Sequence, residues 1–152
     1  MRKDILVAEL QVRYTDMIMS SICETLMENQ PYLFKKLCNG VGSTQGLLNK
    51  AFYYIVPPFV RNRIWGLNIT QASDIHDVEY TYPRKFRDKQ QALEWKEDTD
   101  TRFHINLVKL IKNQNSFRWL ENARFARADK YLALLEKVGD EAFLANKIIL
   151  EK

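Results

Sequence analysis

Two histidines, His76 and His104, occur in the 152 residues, so proton transfer by imidazole has two places to happen. His76 is followed directly by Asp77 in a segment with helical spacing, and neighbours on a helix project about 100° apart. The pair cannot face each other as a base and its orienting carboxylate, but it suits two adjacent roles. A carboxylate from another helix could orient His76 by accepting its second ring proton. Asp100 is the candidate: it lies on the core-facing stripe of a later helix, where an unpaired carboxylate is costly. Tyr80, one turn beyond His76, can donate its hydroxyl to that carboxylate. Asp77 could join the carbonyls of a glycine loop around a hard cation such as calcium. Taken singly, each residue also has a structural role open to it: a satisfied core histidine, or a buried cap or ion-pair aspartate.

The loop that could serve Asp77 is Cys38-Asn39-Gly40-Val41-Gly42-Ser43. Glycines two apart beside an Asn favour special backbone angles and can turn carbonyls or amides onto a ligand. A helix C-cap followed by a turn fits the same residues. Other chemistries are harder to build. A structural zinc site takes about four Cys or His ligands, and this chain has two of each. Cys23 and Cys38 allow at most one bridge, so no disulfide framework exists. HD-type metal phosphohydrolases need a histidine ahead of the His-Asp pair, and none precedes His76. A transition-metal set of His76, Asp77, Asp100 and His104 is a further possibility, because His104 follows Asp100 by one helical turn. A role for His104 at the edge of the core competes with it.

These residues need helices to position them, and the chain supplies helical patterning. Five Gly and four Pro are too few for an all-β sandwich or a disordered chain. Asp4 to Asn29 lacks both and repeats Leu10, Tyr14, Met17, Ile18, Ile22 and Leu26 at three- and four-residue steps. That spacing predicts one long amphipathic helix capped by Asp4 and stopped before Pro31, with Tyr32 to Leu37 adding a further turn. Gly46 to Val60, aromatic and ending in Pro57-Pro58, fits a short buried helix or an extended segment. A helix capped by Asn68 or Thr70 carries Ala72, Ser73, His76 and Tyr80 and ends at Pro83. Another runs from Asp88 to about Asn115, with Leu93, Lys96, Asp100, Phe103 and Leu107 on one face. The last spans roughly Phe117 to Val138 with Gly139 as C-cap, before a tail containing Phe143, Leu144, Ile148 and Ile149. The expectation is one all-α domain over 1–152: two long central helices, a long N-terminal helix and a C-terminal helix.

With the motifs in place, the chain resembles the phospholipase A2-like superfamily over roughly Leu37 to Ala128. The helix Thr70 to Tyr80 looks like that family's His-Asp-x-x-Tyr helix, and Glu97 to Phe103 like the second long helix, which returns an aspartate to the histidine. Cys38 to Gly42 is similar to its calcium loop. Ala72, Ser73 and Glu79 stand where secreted members carry flanking cysteines, so the likeness is closer to disulfide-free bacterial, phage and viral members. Gly46 to Trp65 reads as an insertion. The resemblance implies that His76 is a general base for water attacking the sn-2 ester of a glycerophospholipid, with Asp100 orienting it and Tyr80 tying Asp100 in place. It implies calcium held by Asp77 and the carbonyls of Cys38, Gly40 and Gly42, and a phospholipid or membrane surface as substrate. A lipid-binding or phage-associated interaction module of the same shape, without turnover, is the alternative.

Charge adds little. Twenty-three Lys and Arg against nineteen Asp and Glu give +4, an excess that reads as spread along the chain and lacks any nucleic-acid motif. No apolar run approaches the ~20 residues of a transmembrane helix, and the N-terminus lacks a signal-peptide pattern. A cytoplasmic product with no nucleic-acid partner is expected.

Overall fold

The computed structural model describes residues 1–38, 63–144 and 148–150. The fold is all-α. Six helices appear among the described residues: α1 (Lys3–Arg13), α2 (Ser21–Asn29), α3 (Pro31–Leu37), α4 (Thr70–Thr81), α5 (Lys89–Lys112) and α6 (Arg118–Leu144). Short strands β1 (Arg63–Ile64) and β2 (Leu67–Asn68) form an antiparallel hairpin, and β3 (Lys85–Phe86) pairs in parallel with β4 (Ile148–Ile149). Gly40 and Gly42, and the aromatic segment Gly46 to Val60, lie outside the described residues. No helix among the described residues is long and apolar enough to cross a membrane.

The N-terminal segment is two helices and not one. The apolar spacing does continue from α1 into α2, but side chains elsewhere claim the backbone between them. Asn106 on α5 accepts from the Ile18 N–H at 2.7 Å and donates to its carbonyl at 2.8 Å, as a neighbouring strand would. Glu79 on α4 accepts from Ser20 N–H at 3.1 Å, and Ser20 Oγ in turn caps α2 by accepting from Cys23 N–H. Asp4 does not cap α1; it sits in the first turn, paired with Arg2.

Helix α4 is buried on every side: nine consecutive residues, Ala72 to Tyr80, are covered. Its N-cap position is Ile69, and Asn68 Oδ1 accepts the Thr70 N–H beside it. Asp88 starts α5 by accepting from Gln91 N–H at 2.8 Å. α5 packs along both α4 and α6 and joins each through a short connection, so it runs antiparallel to its two partners. The main core draws Leu10, Phe34, Ile75, Phe103, Leu107 and Leu135 from five helices.

α6 runs past Gly139, the expected stop, to Leu144. The added turns bury Phe143 beside Tyr80 (ring centroids 5.0 Å apart) and Phe86 (6.3 Å) in a second apolar cluster. Burying a Phe is worth about 1.5–3 kcal/mol, more than the roughly 1 kcal/mol that a helical Gly costs. The tail then closes the cluster as β4, with Leu150 N–H donating to the Phe86 carbonyl at 2.8 Å.

Asn106→Leu keeps the volume of α5's inner face but strands both backbone groups of Ile18. A loss of about 2 kcal/mol in urea unfolding is expected. A variant as stable as wild type would show that the α1–α2 connection does not depend on this clamp.

Candidate functional site

α4 and α5 bring His76, Tyr80 and Asp100 together. His76 Nε2 lies 2.8 Å from Asp100 Oδ1, and the Tyr80 hydroxyl donates to the same oxygen at 2.8 Å. One turn of α4 separates His76 from Tyr80, so both reach a single carboxylate on the facing helix. The imidazole lies tilted against Tyr80 (centroids 4.2 Å apart) and Phe103 (4.7 Å), and its side chain is 0% exposed.

The carboxylate has a third partner. Lys96, one turn before Asp100, is buried and places Nζ 2.8 Å from Asp100 Oδ2. The same ammonium donates to the Leu135 carbonyl of α6 at 3.0 Å and approaches Asp140 Oδ1 at 3.2 Å. Burial by itself pushes the Asp100 carboxyl upward. The hydrogen bond and charge of His76, followed by those of Lys96, outweigh it and hold the group below its ordinary 3.8. Tyr80 moves the other way: burial, then the Asp100 charge and the shared hydrogen bond, push its hydroxyl far up, so it remains a donor.

An ionised carboxylate only accepts hydrogen bonds. His76 Nε2 must therefore carry its proton toward Asp100, and in the neutral ring the lone pair sits on Nδ1. That atom is buried and has no hydrogen-bond partner among the described residues. The geometry thus sets the tautomer of a ring whose second nitrogen is uncommitted.

Asp77 points elsewhere on α4, as adjacent helical positions require. Its carboxylate is buried, and its backbone carbonyl accepts from Thr81 Oγ1 at 2.6 Å. Cys38, at the C-cap of α3, donates from Sγ to the Phe34 carbonyl at 3.3 Å. Its thiol is pushed up by burial and then by the charge of Asp74, with Asp77 contributing further, so the chain leaves α3 within electrostatic reach of both aspartates. Asp74 was not singled out from the sequence. It accepts from the buried Tyr14 hydroxyl at 2.7 Å, and burial raises its carboxyl against the lowering effects of Tyr14 and Arg13.

His104 is not part of this group. Its Nε2 lies 2.7 Å from Asp129 on α6, at the edge of the core. The four-residue transition-metal set is accordingly not assembled, and among the described residues no group of three His, Cys, Asp or Glu is placed to hold a metal. Ser73 donates to the Ile69 carbonyl at 3.1 Å, a packing role inside α4.

Sequence reasoning put Lys96 on the inner face of α5 and gave it no task. Its spacing four residues before Asp100 was the available signal, since i,i+4 pairs of opposite charge meet on a helix. Glu79 was missed as well. It is held by Arg102 (Nη2 at 2.6 Å) and Thr99, and Arg102 lies over the Trp95 ring at 5.2 Å, which secures α4 to α5 one turn from the Asp100 cluster.

Lys96→Met leaves Asp100 short of a counter-charge in the core and should cost about 3–5 kcal/mol in urea unfolding, most of it recovered when Asp100→Asn is added. A single variant within 1 kcal/mol of wild type (about one-fifth of that upper bound) would remove the ion pair from the account. The pH dependence follows from the lowered Asp100 value. Between the folded and unfolded values the unfolded chain binds more protons, so this stabilisation is complete above about 3.8 and is lost as pH falls through the folded value. Asp100→Asn should flatten the acid limb of stability against pH; an unchanged limb would refute it. No family model matches this chain, and none of the curated proteins or solved structures does either.

Proposed function

We propose that the chain is a calcium-dependent lipid esterase of phospholipase A2-like type, hydrolysing the sn-2 ester of a glycerophospholipid. One observation carries this: His76 gives Nε2 to an ionised Asp100 while Nδ1 has no partner among the described residues. A ring held in that tautomer is prepared to take a proton from water at Nδ1. As the water oxygen bonds to the ester carbonyl carbon, its proton passes to Nδ1. The resulting imidazolium is stabilised by the Asp100 carboxylate, which Tyr80 and Lys96 keep in place. Collapse breaks the bond to the glycerol oxygen, which recovers the proton from Nδ1 and leaves a fatty acid and a lysophospholipid. No covalent acyl intermediate is required.

Calcium, held by Asp77 and the backbone carbonyls of Cys38, Gly40 and Gly42, would supply Lewis-acid stabilisation of the developing oxyanion and bind the substrate phosphate. A buried carboxylate on α4 near the end of α3 suits a hard, oxygen-seeking cation. The second reading is a phospholipase A2-like lipid-binding or phage-associated interaction module without turnover. The fully covered His76 ring and the ammonium on the far oxygen of Asp100 favour it, because the same cluster also serves as a polar core.

Fatty-acid release from mixed phospholipid vesicles separates the two. Wild type should release fatty acid with calcium and stop on chelation, and His76→Gln should lower the rate by at least about 100-fold. Equal release by wild type and His76→Gln would sink the catalytic proposal in favour of the module.

A further inference from the structure

Of the exposed aromatic side chains among the described residues, all but Tyr32 of α3 lie at one end of the molecule. Trp65 is 55% exposed, Phe117 75% and Trp119 64%. The antiparallel packing of α5 brings its C-terminal end, the start of α6 and the hairpin before α4 to this end. Arg124 of α6 ties them together by donating to the Trp65 carbonyl at 2.9 Å. Trp65 and Gly66 form the two-residue turn of the hairpin with φ of 46° and 81°. Gly suits such a position and Asn is common there, whereas a Trp is strained. The chain thus accepts strain to present an indole at a hairpin tip.

The charge of this end is lopsided. Between Ile105 and Arg127 five Lys or Arg residues accompany one acidic residue, Glu121, and Arg63 on the hairpin adds a sixth cation. That is an excess of five, against +4 for the whole chain, so the remainder is on balance slightly acidic. Five of these six cations already share one stretch of sequence, and the fold adds Arg63 to them by laying the hairpin beside α6.

Beside Phe117 lies an open pocket of about 510 Å³ lined by Gln114, Asn115, Ser116, Phe117, Leu120 and Arg124. Two of its buried donors, Arg124 Nε and Ser116 Oγ, have no hydrogen-bond partner among the described residues. Arg124 is 8% exposed, and an unsatisfied buried guanidinium nitrogen is costly. The Phe117 carbonyl begins α6 by accepting from Glu121 N–H, and a phenyl ring cannot cap the amides of the first turn. A phosphate oxygen entering here meets unmatched donors and the positive end of a 27-residue helix.

We propose that this end docks on an anionic phospholipid bilayer: Trp65, Phe117 and Trp119 enter the interface while Arg124 and Ser116 receive a lipid phosphate. Indoles at a headgroup boundary flanked by Arg and Lys are the usual chemistry of interfacial attachment. The surface shares α5 and α6 with the His76 cluster but uses other residues, at the end where α5 stops and α6 begins, and does not depend on ester hydrolysis. Binding is therefore measured with chelator present and on His76→Gln beside wild type.

Vesicle flotation compares phosphatidylcholine alone with phosphatidylcholine mixed with phosphatidylglycerol. Wild type and His76→Gln should both float with the mixed vesicles, weakly with the neutral ones, and less as salt is raised. Phe117→Ser and Trp119→Ser, at exposed positions that should leave the melting temperature unchanged, should each weaken partitioning about tenfold. Arg124→Gln should do the same without abolishing the salt dependence. Unchanged partitioning in both aromatic variants overturns the proposal. So does release by inorganic phosphate at constant ionic strength, which marks a soluble oxyanion ligand, or tighter binding to a single-stranded oligonucleotide than to the mixed vesicles.

Discussion

Placing the Asp100 carboxylate inside the protein is the constraint around which the three central helices are arranged. An ion of this kind loses several kcal/mol of effective solvation on burial, and only well-placed donors offset the loss. Here His76 and Tyr80 come from α4, and Lys96 comes from α5 itself. Lys96 must in turn be satisfied, which it achieves through the Leu135 carbonyl and Asp140 of α6. One carboxylate therefore sets the register of α4 on α5 and, through the lysine, that of α6. Sliding either neighbour by a turn would leave a charge unpaired in the core.

The same logic repeats around α4. A helix covered on all sides would ordinarily be apolar throughout, yet this one contains Ser73, Asp74, His76, Asp77 and Glu79 among its buried residues. Asp74 is matched by Tyr14 of the segment after α1, and Glu79 by Ser20, Thr99 and Arg102. Elements from the N-terminal third are thereby attached to the centre through polar contacts as well as the apolar core. Such a network specifies one packing more sharply than hydrocarbon surfaces do, since a misaligned partner leaves a group unsatisfied.

This arrangement also bears on function. A carboxylate that only accepts, a tyrosine that donates to it and an imidazole packed against two rings together leave one ring nitrogen uncommitted among the described residues. Stability and catalysis make the same demand on Asp100: it must stay charged and immobile. The Lys96 contact meets that demand while reducing the net negative charge that the imidazole experiences. At the opposite functional extreme, the hairpin and the start of α6 collect exposed aromatic and basic groups that the core does not use. Polar interior and aromatic exterior are thus sorted onto different parts of the same helices.

Local chemistry carried much of this in the sequence alone. Helical periodicity, the helix start at Asp88 and the stop before Pro31 were legible because they act within a few residues. The pairing of His76 and Tyr80 with Asp100 was also legible, because a carboxylate on an apolar stripe demands a partner and few candidates exist. What the sequence could not reveal depends on groups distant along the chain. Asn106 breaks the N-terminal helix across 88 residues, and Phe143 carries α6 past a glycine for the sake of an aromatic cluster. Lys96 acquires its role only when the Leu135 carbonyl arrives, and Arg63 and Trp65 join the basic stretch only once the hairpin lies beside α6. Helix type and the demand for a buried ion pair were determined locally, by backbone propensity and desolvation. Which donors answered that demand was decided by tertiary packing, because hydrogen bonds act over about 3 Å and sequence spacing says nothing at that range between separate elements.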